Sequence, residues 1–462
     1  MMETTADVCI WPLGQLAPHE LLSLHAAYPE RYPYLLESAA GSALDNNDIL
    51  LAFPGAQLSL HSQHGLSLPA ELGVTQSTNF LDALDQWWQQ LRQPETTQAP
   101  VFAGGWFVYL SYELARQIEP SLQPAPSPVV TQLLAQAVRI PAAIIRRSDT
   151  GTSWFVSENE AAAESRLTQL RQDLHAARAA ATILLPVKVY SLQEDTPAVF
   201  IDAVHAALAH IAAGDVYQAN LSRGWQAKTP DDSAAALYQA LKAANPAPFS
   251  GLARLSADHF IISSSPERLI EVRDGWANTR PIAGTRPRDT DTQTDQALLT
   301  ELQAHPKERA EHIMLLDLER NDLGRICQAG TVEVNEYMSI ESYAHVHHIV
   351  SNVRGRLRSD VTPGMAIAAV FPGGTITGCP KVRCMQIIAS LEPETRGAYT
   401  GSMGYLNRDG SMDLNILIRT LELQETTLRF RAGGGIVADS IPECELDETR
   451  AKALGLLRAL QA

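Results

Sequence analysis

The chain has 462 residues, 45% hydrophobic and 19% charged, a composition typical of a folded globular protein and unlike that of a disordered chain. Its formal net charge of −16 excludes a broad basic surface for nucleic acid or an acidic membrane, so an anionic ligand needs a local positive site. Five cysteines without a C-x-x-C pair indicate neither a disulfide framework nor a zinc site. The start lacks a signal-peptide pattern and no apolar run reaches ~18 residues, so we expect a cytoplasmic protein without membrane spans.

A composition change divides the chain near residue 190. Alternating prolines at 124, 126 and 128 favour an extended surface connector. A polar, alanine-rich helix is predicted over residues 158–180, and the stretch after it loses helical periodicity and ends in a turn-like Asp-Thr-Pro. We therefore predict an N-terminal domain over residues 1–190 and a second domain over residues 191–462.

The second part alternates long helices with hairpins. Thr196 and Pro197 predict a helix start, and apolar residues follow at helical spacing until Gly214. Strands in hairpins are predicted in HFIISSSPERLIEVRDGWANTRPIAGT, with an Asp-Gly turn, and in LIRTLELQETTLRFRAGGG. This order favours an α+β fold with antiparallel sheets and helices outside over a parallel, doubly wound sheet.

Two glutamate pairs share one spacing. Glu308 and Glu311 follow Pro306 in a predicted helix, and Glu445 and Glu448 open the last predicted helix. The i,i+3 spacing turns both carboxylates of a pair to one helix face. Two such pairs indicate a shared cation, with Mg²⁺ as the natural candidate because it prefers oxygen ligands and reaches some of them through its waters. The alternative is two solvated acidic helix faces.

Two glycine-rich stretches offer backbone N–H groups to an anion. FPGGTITGCPKVR contains Lys381 but lacks the G-K-[ST] of a nucleotide loop, which favours a helix N-terminus that binds a carboxylate. RAGGGIV places Gly433, Gly434 and Gly435 in succession, which predicts either an anion-binding nest or a strained bulge at a strand end.

Arginine and histidine side chains provide further candidates. Arg419 falls in a strand pattern, and its guanidinium needs a carboxylate partner if it is buried, either from a ligand or from a neighbouring strand. His345, His347 and His348 suggest a metal site, but adjacent strand residues point to opposite faces. Catalysis by one of these histidines remains an alternative to a structural role.

Taken together, these motifs resemble those of the chorismate-utilising enzymes. The resemblance covers roughly residues 195–460 and rests on the order and spacing of GDVYQANLS, SSSPERL, PIAGT, KERAEHIMLLDLERNDLGR, HHIVSNVRG, FPGGTITGCPKVR, RGAYTGSMGY and AGGGIVADS. The N-terminal part is a weaker match, through YPYLLES and FAGGWFVYLSYEL. The resemblance implies an anthranilate-synthase-like α+β sandwich of two antiparallel sheets with helices outside.

The resemblance also implies a magnesium site. Glu311 and Glu448 match the residues that bind the ion directly, and Glu308 and Glu445 match partners that reach it through water. Lys452 lies one helical turn after Glu448. With this match, the acidic pairs are better explained by a shared ion than by two solvated helix faces.

Chorismate, the implied substrate, carries two carboxylates, one on the ring and one on the enolpyruvyl arm. By the resemblance, the AGGGIV amides lie beside the ring carboxylate. Tyr399 and Arg419 match the pair that holds the enolpyruvyl carboxylate, which suits the bidentate geometry of arginine. Lys381 and the glycines before it frame the substrate site.

Gln218 indicates the nucleophile. Family members that add water carry a lysine at this position as general base, and an amide cannot take up that proton. The resemblance therefore implies ammonia, which usually comes from a glutaminase partner. The sequence shows no glutaminase segment with its own nucleophilic cysteine, so we expect a separate glutamine amidotransferase subunit.

The site of amination depends on conflicting motifs. VYQANLS, VHHIVS, FPGGTITG and AGGGIVADS look more like the members that aminate C4 and keep the enolpyruvyl group, the aminodeoxychorismate synthases. Those members often have a lysine where PIAGT has Ala283, the residue typical of anthranilate synthases, which aminate C2 and expel pyruvate. We expect C4 amination without a covalent intermediate, with Thr285 orienting substrate and Glu267 handling a proton. Expulsion of pyruvate would need another acid–base arrangement, for which His348 is the candidate.

Two alternatives remain open from the sequence. The first is an anthranilate synthase large subunit. The second is a chain that binds chorismate or tryptophan without catalysis, as a regulatory subunit. The YPYLLES stretch, which ends at Ser38, resembles a segment that can line a tryptophan pocket in this family.

Overall fold

The computed structural model describes residues 3–4, 8–39, 46–72, 78–94, 100–122, 132–180, 186–231, 233–289, 291–343 and 346–461. The predicted proline connector at residues 124–128 and His345 lie outside these ranges. Within them, none of the helices is long and apolar enough to cross a membrane.

The described strands, in chain order, are β1 (Glu3–Thr4), β2 (Val8–Gln15), β3 (Tyr34–Glu37), β4 (Asn47–Ala52), β5 (Gln57–His61), β6 (Gly65–Ser67), β7 (Gly105–Leu110), β8 (Leu133–Ile140), β9 (Ala142–Arg147), β10 (Thr152–Glu158), β11 (Tyr190–Glu194), β12 (Gln218–Lys228), β13 (Phe249–Arg254), β14 (His259–Ser265), β15 (Arg268–Arg273), β16 (Trp276–Arg280), β17 (Ile282–Pro287), β18 (Glu333–Ser342), β19 (Val346–Arg356), β20 (Gly378–Cys379), β21 (Ser402–Asn407), β22 (Met412–Asn415), β23 (Thr420–Gln424) and β24 (Thr427–Ile436). The described α-helices are α1 (Pro18–Ala27), α2 (Phe80–Leu91), α3 (Ala115–Ile118), α4 (Ala163–Ala180), α5 (Pro197–Ala212), α6 (Ala234–Ala244), α7 (Thr292–Ala304), α8 (Pro306–Gly324), α9 (Pro363–Val370), α10 (Lys381–Leu391) and α11 (Pro442–Ala459). Short 3₁₀ turns occupy Ala70–Leu72, Tyr112–Leu114 and Gly374–Ile376.

The strands form two antiparallel sheets. The first runs β1-β2-β10-β9-β4-β3-β13-β14-β23-β24-β12-β11, with β20 on β12. The second runs β17-β19-β16-β15-β22-β21-β7-β8-β5-β6, with β18 on β19. Both sheets join strands from the two sides of residue 190, because β3 pairs with β13 and β7 pairs with β21. The domain boundary near residue 190 stays a prediction, and the two parts share both sheets.

The sheets pack face to face, with helices on their outer sides. Tyr34 of the first sheet stacks on Phe107 of the second with ring centroids 3.7 Å apart, inside an apolar cluster built from both sheets. Helices α1, α4, α6 and α11 contribute to the core that covers the first sheet. Helices α2, α8 and α9 do so for the second. This confirms the predicted α+β sandwich of two antiparallel sheets with helices outside.

Local signals explain the elements around the site. Helix α5 begins at Pro197 as predicted, and Gly214, with φ +79°, follows its end. Thr196 occupies the N-cap, but its side chain makes no capping hydrogen bond. The Asp274–Gly275 turn between β15 and β16 has φ +52° and +71°, the left-handed conformation that Asp-Gly favours in tight hairpins.

Candidate active site

Helices α8 and α11 carry the two predicted glutamate pairs near their N-termini. Pro306 and Pro442 are the first residues of these helices, where a missing N–H costs nothing. Carboxylates in a first turn are stabilised by the positive end of the helix dipole. Both predicted helices are therefore present, and their starts bring acidic groups to the sheets.

Each pair has polar partners. Glu311 Oε1 accepts a hydrogen bond from Gln218 Nε2 at 2.6 Å. Glu308 pairs with Arg286 at 3.1 Å. Glu448 pairs with Lys452 at 2.6 Å. The carboxylates of the two helices are thus held by a neutral amide and by two cations.

The second pair, and the Gln218 partner of the first pair, lie beside the glycine stretch of β24. A Cβ placed on Gly434 would lie 3.4 Å from the carboxylate oxygens of Glu445 and of Glu448. A Cβ on Gly435 would lie 2.0 Å from Nε2 of Gln218, the partner of Glu311. Only glycine therefore leaves room for Gln218 beside this strand.

The three glycines lie in a regular strand, neither a nest nor a bulge. Gly433, Gly434 and Gly435 pair in unbroken register with β12, opposite Ser222, Leu221 and Asn220. In the described part of the chain, the ladder between β23 and β24 ends at Phe430, so no strand pairs with the other edge of the glycine stretch.

The open edge leaves backbone groups without a strand partner. Backbone N–H groups on an unpaired edge of this kind need an acceptor. Lys452 Nζ donates to the Gly433 carbonyl at 3.0 Å, which adds a cation to the same place. An anion such as the predicted ring carboxylate suits this edge.

Tyr399 and Arg419 lie together near the same strand. A Cβ on Gly433 would lie 2.9 Å from the Tyr399 hydroxyl. Burial lowers the pKa of Arg419, while the nearby Tyr399 and Glu448 act in the opposite direction. No described residue forms a hydrogen bond or ion pair with the Arg419 guanidinium. A half-buried arginine without such a partner is available to bind an anionic ligand.

Arg419 departs from its predicted conformation. Strand β23 begins at Thr420, so Arg419 precedes the strand and has φ +52°, in the left-handed region. The sequence pattern missed this because Leu417, Arg419, Leu421 and Leu423 have the two-residue spacing of one strand face. Arg419 therefore lies in the turn before β23 and not within the strand that the sequence predicted.

Thr285 and His348 are in direct contact. The Thr285 hydroxyl and His348 Nδ1 are 2.9 Å apart across the β17–β19 pair. Burial, with Arg419 nearby, lowers the pKa of His348 to about 4, so the imidazole is neutral at pH 7. His347 instead contacts Ser342 and Asp295, so the neighbouring histidines have separate partners, as the strand pattern predicts.

Glu267 follows β14 and is fully enclosed. Burial raises the pKa of Glu267 to about 7, although Thr375, the Ile282 backbone and Lys452 act in the opposite direction. Its Oε1 atom has no hydrogen-bond partner among the described residues. This carboxyl group can therefore hold or release a proton near neutral pH, as a general acid or base must.

The PIAGT loop helps to position the groups around it, and Ala283 gives it no reactive side chain. Ala283 is buried and pairs with Ile349, and its methyl group can neither attack nor titrate. A Cβ on Gly284, which has φ +67°, would lie 3.0 Å from Glu308 Oε2, so the loop packs tightly on α8. Arg286 is paired with Glu301 and Glu308 rather than left for a ligand.

Lys381 belongs to an acidic group that the sequence analysis did not single out. Its Nζ atom bonds Asp322 at 2.5 Å and the Val370 carbonyl at 3.2 Å. Burial and the neighbouring Asp322 raise the pKa of Glu319. Glu319 and Asp322 have the same i,i+3 spacing on α8 as the first pair, which is the signal that would have found them. The role of Lys381 in framing substrate stays a prediction.

Ser38 lies apart from these residues. It follows β3, which is four strands from β24 in the first sheet. Its N–H donates to Asp48 Oδ1 at 3.2 Å, and its hydroxyl is buried without a partner among the described residues. Glu37, the residue before Ser38, forms a 2.8 Å ion pair with Lys242. A tryptophan pocket at Ser38 stays a prediction.

The donor chemistry around the glutamate pairs fits Mg²⁺, because all four side chains offer carboxylate oxygens. In the structure, Gln218 donates a hydrogen bond to Glu311 and Lys452 forms an ion pair with Glu448. Among the described residues, however, no group of three or more His, Cys, Asp or Glu side chains is arranged to hold a metal. A magnesium site is therefore a proposal, taken up below.

Comparison with known proteins identifies the family. The chorismate binding enzyme family matches residues 45–458, which is most of the chain and both sheets. The chain therefore belongs to the chorismate binding enzymes. The match crosses residue 190, in agreement with sheets that join strands from both sides.

Individual relatives narrow the class. Aminodeoxychorismate synthase component 1 of Bacillus subtilis (strain 168) is 37% identical over 449 residues, 94% of this chain and 93% of that protein. An anthranilate synthase component I-like protein of Synechocystis is 42% identical over 365 residues, 78% of this chain and 73% of that protein. The crystal structure of anthranilate synthase component I from Streptococcus pneumoniae superposes with a TM-score of 0.74 at 29% identity, covering 90% of this chain and 93% of that one. The chain is a chorismate-utilising enzyme of the anthranilate and aminodeoxychorismate synthase type.

Proposed function

We propose that the chain is the large subunit of an aminodeoxychorismate synthase. It replaces the C4 hydroxyl of chorismate by an amino group from ammonia, giving 4-amino-4-deoxychorismate and water, and so serves the synthesis of 4-aminobenzoate and folate. The observation that carries this proposal is the Gln218 amide, which is bonded to Glu311 where water-adding relatives have a basic lysine.

The Gln218 side chain favours ammonia over water. Its amide nitrogen donates to Glu311 and has no basic lone pair with which to take a proton from water. Neutral ammonia needs no such base, because its own lone pair attacks and the extra proton leaves afterwards. An amide in this place is therefore compatible with amination and not with base-assisted hydration.

The unpaired groups around the site support chorismate as the substrate. Arg419, with Tyr399 beside it, receives the enolpyruvyl carboxylate. The open edge of the glycine stretch, with Lys452, receives the ring carboxylate. Two separate anion sites match the two carboxylates of chorismate, and the ring between them is held in one orientation.

Glu267 supplies the proton that the reaction needs. Replacement of a hydroxyl by ammonia releases water, so one proton must reach the departing oxygen. With its pKa raised to about 7, Glu267 is largely protonated below neutral pH and can donate that proton. Thr285, fixed by His348, orients the substrate without taking part in proton transfer.

Magnesium completes the ring-carboxylate side of the proposal. Glu311 and Glu448 would bind the ion directly, and Glu308 and Glu445 would reach it through water. When bound, the ion supplies positive charge that neutralises the ring carboxylate. The acidic pairs then hold an ion instead of repelling an anionic substrate.

A separate glutamine amidotransferase subunit supplies the ammonia. Free ammonia is scarce at neutral pH, because most of it is ammonium. We expect the purified chain to use ammonium salts directly and glutamine only with that partner. Turnover with glutamine by the chain alone would contradict this part of the proposal.

Anthranilate synthase is the second candidate, and Ala283 is the observation that favours it. No lysine stands in the PIAGT loop to block C2, so ammonia has access to that carbon. The Streptococcus pneumoniae structure is named anthranilate synthase component I, and the Synechocystis relative is named an anthranilate synthase component I-like protein. The two candidates share substrate, nucleophile and metal, and they differ in the carbon attacked and in whether pyruvate is expelled.

The proposal is tested by incubating the chain with chorismate, magnesium and excess ammonium. We expect chorismate to disappear and a product with the mass of an amino-for-hydroxyl exchange to form. A new product that separates from chorismate by chromatography but has the same mass would show that water is the nucleophile. Unchanged chorismate would identify a binding protein without catalysis and would sink the proposal.

A further inference from the structure

His312 is a buried histidine on the inward side of α8, directly after Glu311. Its side chain is 0% exposed, although the helix around it carries many charged groups. It lies one helical turn after Glu308 and one turn before Leu316, which packs in the core of the second sheet. The same helix face therefore carries a glutamate of the first pair and a buried imidazole.

Ser351 is the partner of His312. Its Oγ atom lies 2.6 Å from His312 Nε2 and also accepts a hydrogen bond from the Met338 N–H at 2.8 Å. The Ser351 N–H donates to the carbonyl of Pro281, the first residue of PIAGT, at 3.4 Å. Ser351 is 0% exposed and belongs to β19. One buried serine therefore joins α8 to β18, β19 and the PIAGT loop.

The contact with Ser351 fixes the orientation of α8 about its own axis. The apolar neighbours of His312 on the buried side, Leu315 and Leu316, pack without a preferred direction. At the far end of the helix, Asp322 bonds Lys381 at 2.5 Å. The His312 contact supplies a buried, directional link to the N-terminal half, because a hydrogen bond is lost when its geometry changes.

The orientation of α8 decides where Glu311 points. Adjacent residues of an α-helix are ~100° apart around the axis, so His312 faces Ser351 while Glu311 faces Gln218, at 2.6 Å. A side-chain end lies ~5 Å from the helix axis, so a rotation of ~20° would move it by ~2 Å. A shift of that size is enough to break the bond between Glu311 and Gln218.

We propose that His312 is a positioning residue for the candidate active site. Its contact with Ser351 fixes the rotation of α8 and thereby holds Glu311 against Gln218. The inference rests on the proposed function for the role of Glu311 toward magnesium and chorismate, and it adds the group that orients this carboxylate. Removing a side chain that orients a metal-binding group typically costs ~10–100-fold in metal affinity or activity.

Three variants and one control test this role. His312→Leu removes the polar contact, and Ser351→Ala removes it from the other side. His312→Gln keeps a terminal amide that can donate to Ser351 or accept from it. The control is His25→Leu, which removes another buried histidine. His25 lies on α1, against the first sheet, and its Nδ1 atom is 2.8 Å from the Tyr32 carbonyl.

The first measurement uses the full-length chain without magnesium or chorismate. Amide hydrogen exchange in α8 should be ~10-fold faster in His312→Leu and Ser351→Ala than in the parent chain, because a buried contact that holds the helix is lost. His312→Gln should stay within about threefold of the parent chain, and His25→Leu should leave exchange in α8 unchanged. Equal acceleration in His25→Leu and His312→Leu would indicate a general loss of stability and would overturn the proposal.

The second measurement separates positioning from loss of folded protein. In His312→Leu, the Kd for magnesium by calorimetry and the KM for chorismate should rise ~10-fold or more. At saturation, kcat should stay within about threefold, because the bound ligands draw Glu311 back into place. A smaller folded fraction would instead lower the apparent kcat and leave both constants unchanged.

Rescue and coupling complete this measurement. His312→Gln should restore the Kd and the KM, because the amide replaces the lost contact. The double variant His312→Leu/Ser351→Ala should be no worse than His312→Leu, because both changes remove the same contact. Fully additive effects of the two changes would overturn the proposal.

The outcomes distinguish failure of this proposal from failure of the proposed function. If the parent chain binds magnesium and converts chorismate but His312→Leu keeps both constants, His312 has no positioning role. If the parent chain does neither, the proposed function is wrong, and hydrogen exchange in α8 decides whether His312 holds the helix. If His312→Leu does not fold, Ser351→Ala, which deletes a single oxygen atom, gives the same test.

Discussion

Burial sets the protonation state of the two titratable groups at the centre of the candidate active site. It raises the pKa of Glu267 to about 7 and lowers the pKa of His348 to about 4. At pH 7 the histidine is neutral, while the glutamate carries its proton about half of the time. Glu267 is therefore the group suited to proton donation. His348 remains available to position Thr285.

At the residue scale, we expect Glu267→Gln to lower kcat by ~10²-fold or more, because an amide cannot donate the proton that the leaving hydroxyl takes. Wild-type kcat should fall as the pH rises through about 7, where Glu267 loses its proton. The measurement is a pH profile at constant free ammonia. A profile without this fall, or a fully active Gln variant, would remove Glu267 from the mechanism.

The same pKa predicts a pH-dependent stability difference. The pKa of Glu267 in the folded chain, about 7, exceeds its ordinary value of 4.5, so the folded state binds this proton more tightly than the unfolded state. The resulting stabilisation is complete below pH 4.5 and is lost as the pH rises through about 7. Relative to the wild type, Glu267→Gln should gain ~1–3 kcal/mol between pH 5 and pH 8. Denaturant unfolding at both pH values measures this, and an equal difference at both would contradict it.

At the scale of single elements, the starts of α8 and α11 carry the metal proposal. Glu311→Gln should lower turnover by ~10²-fold or more and weaken the response to magnesium, because one ligand carboxylate becomes a neutral amide. Asp317→Asn, an exposed acid on the same helix, is the control and should leave both unchanged. Near-normal activity of Glu311→Gln with magnesium present would show that the site is wrongly assigned.

Strand β24 allows a second test of an element. Gly435→Ala places a methyl group 2.0 Å from the present position of Gln218 Nε2, so the amide must leave Glu311. We expect a loss of ~10²-fold in kcat/KM with the fold preserved, because small displacements near reacting groups are costly. Gly324→Ala, where nothing lies within 4 Å of the added carbon, is the matched control. Equal activity of the two variants would mean that Gln218 has no role.

Many of the single helices and turns were predictable from the sequence. Pro197, the Asp274–Gly275 turn and the helices that carry the two glutamate pairs have strong local signals, and the structure has each of these elements where it was predicted. The left-handed conformation of Arg419 was not predictable, because an arginine at positive φ is held there by tertiary contacts rather than by local preference. Glu319 could have been found from its spacing to Asp322 but was hidden among other charged residues of α8.

At the scale of the whole molecule, the sequence pattern could not predict that strands from both sides of residue 190 share the two sheets. Tyr34 pairs with Ala253 and Gly105 with Asn407, and such distant partners leave no periodic signal in either segment. The family resemblance supplied the sandwich, which the structure confirms, whereas composition alone suggested a break near residue 190.

The central claim is amination of chorismate at C4, and the product decides it. Without a lysine at Ala283 to block C2, selectivity depends on how the two carboxylate sites orient the ring. The measurement is mass and fluorescence analysis of a chorismate, magnesium and ammonium incubation, with and without a separate aminodeoxychorismate lyase. We predict 4-aminobenzoate only in the sample with the lyase, and Ala283→Lys should retain or sharpen this result. Anthranilate as the main product in both samples would contradict the account and assign the chain to tryptophan biosynthesis.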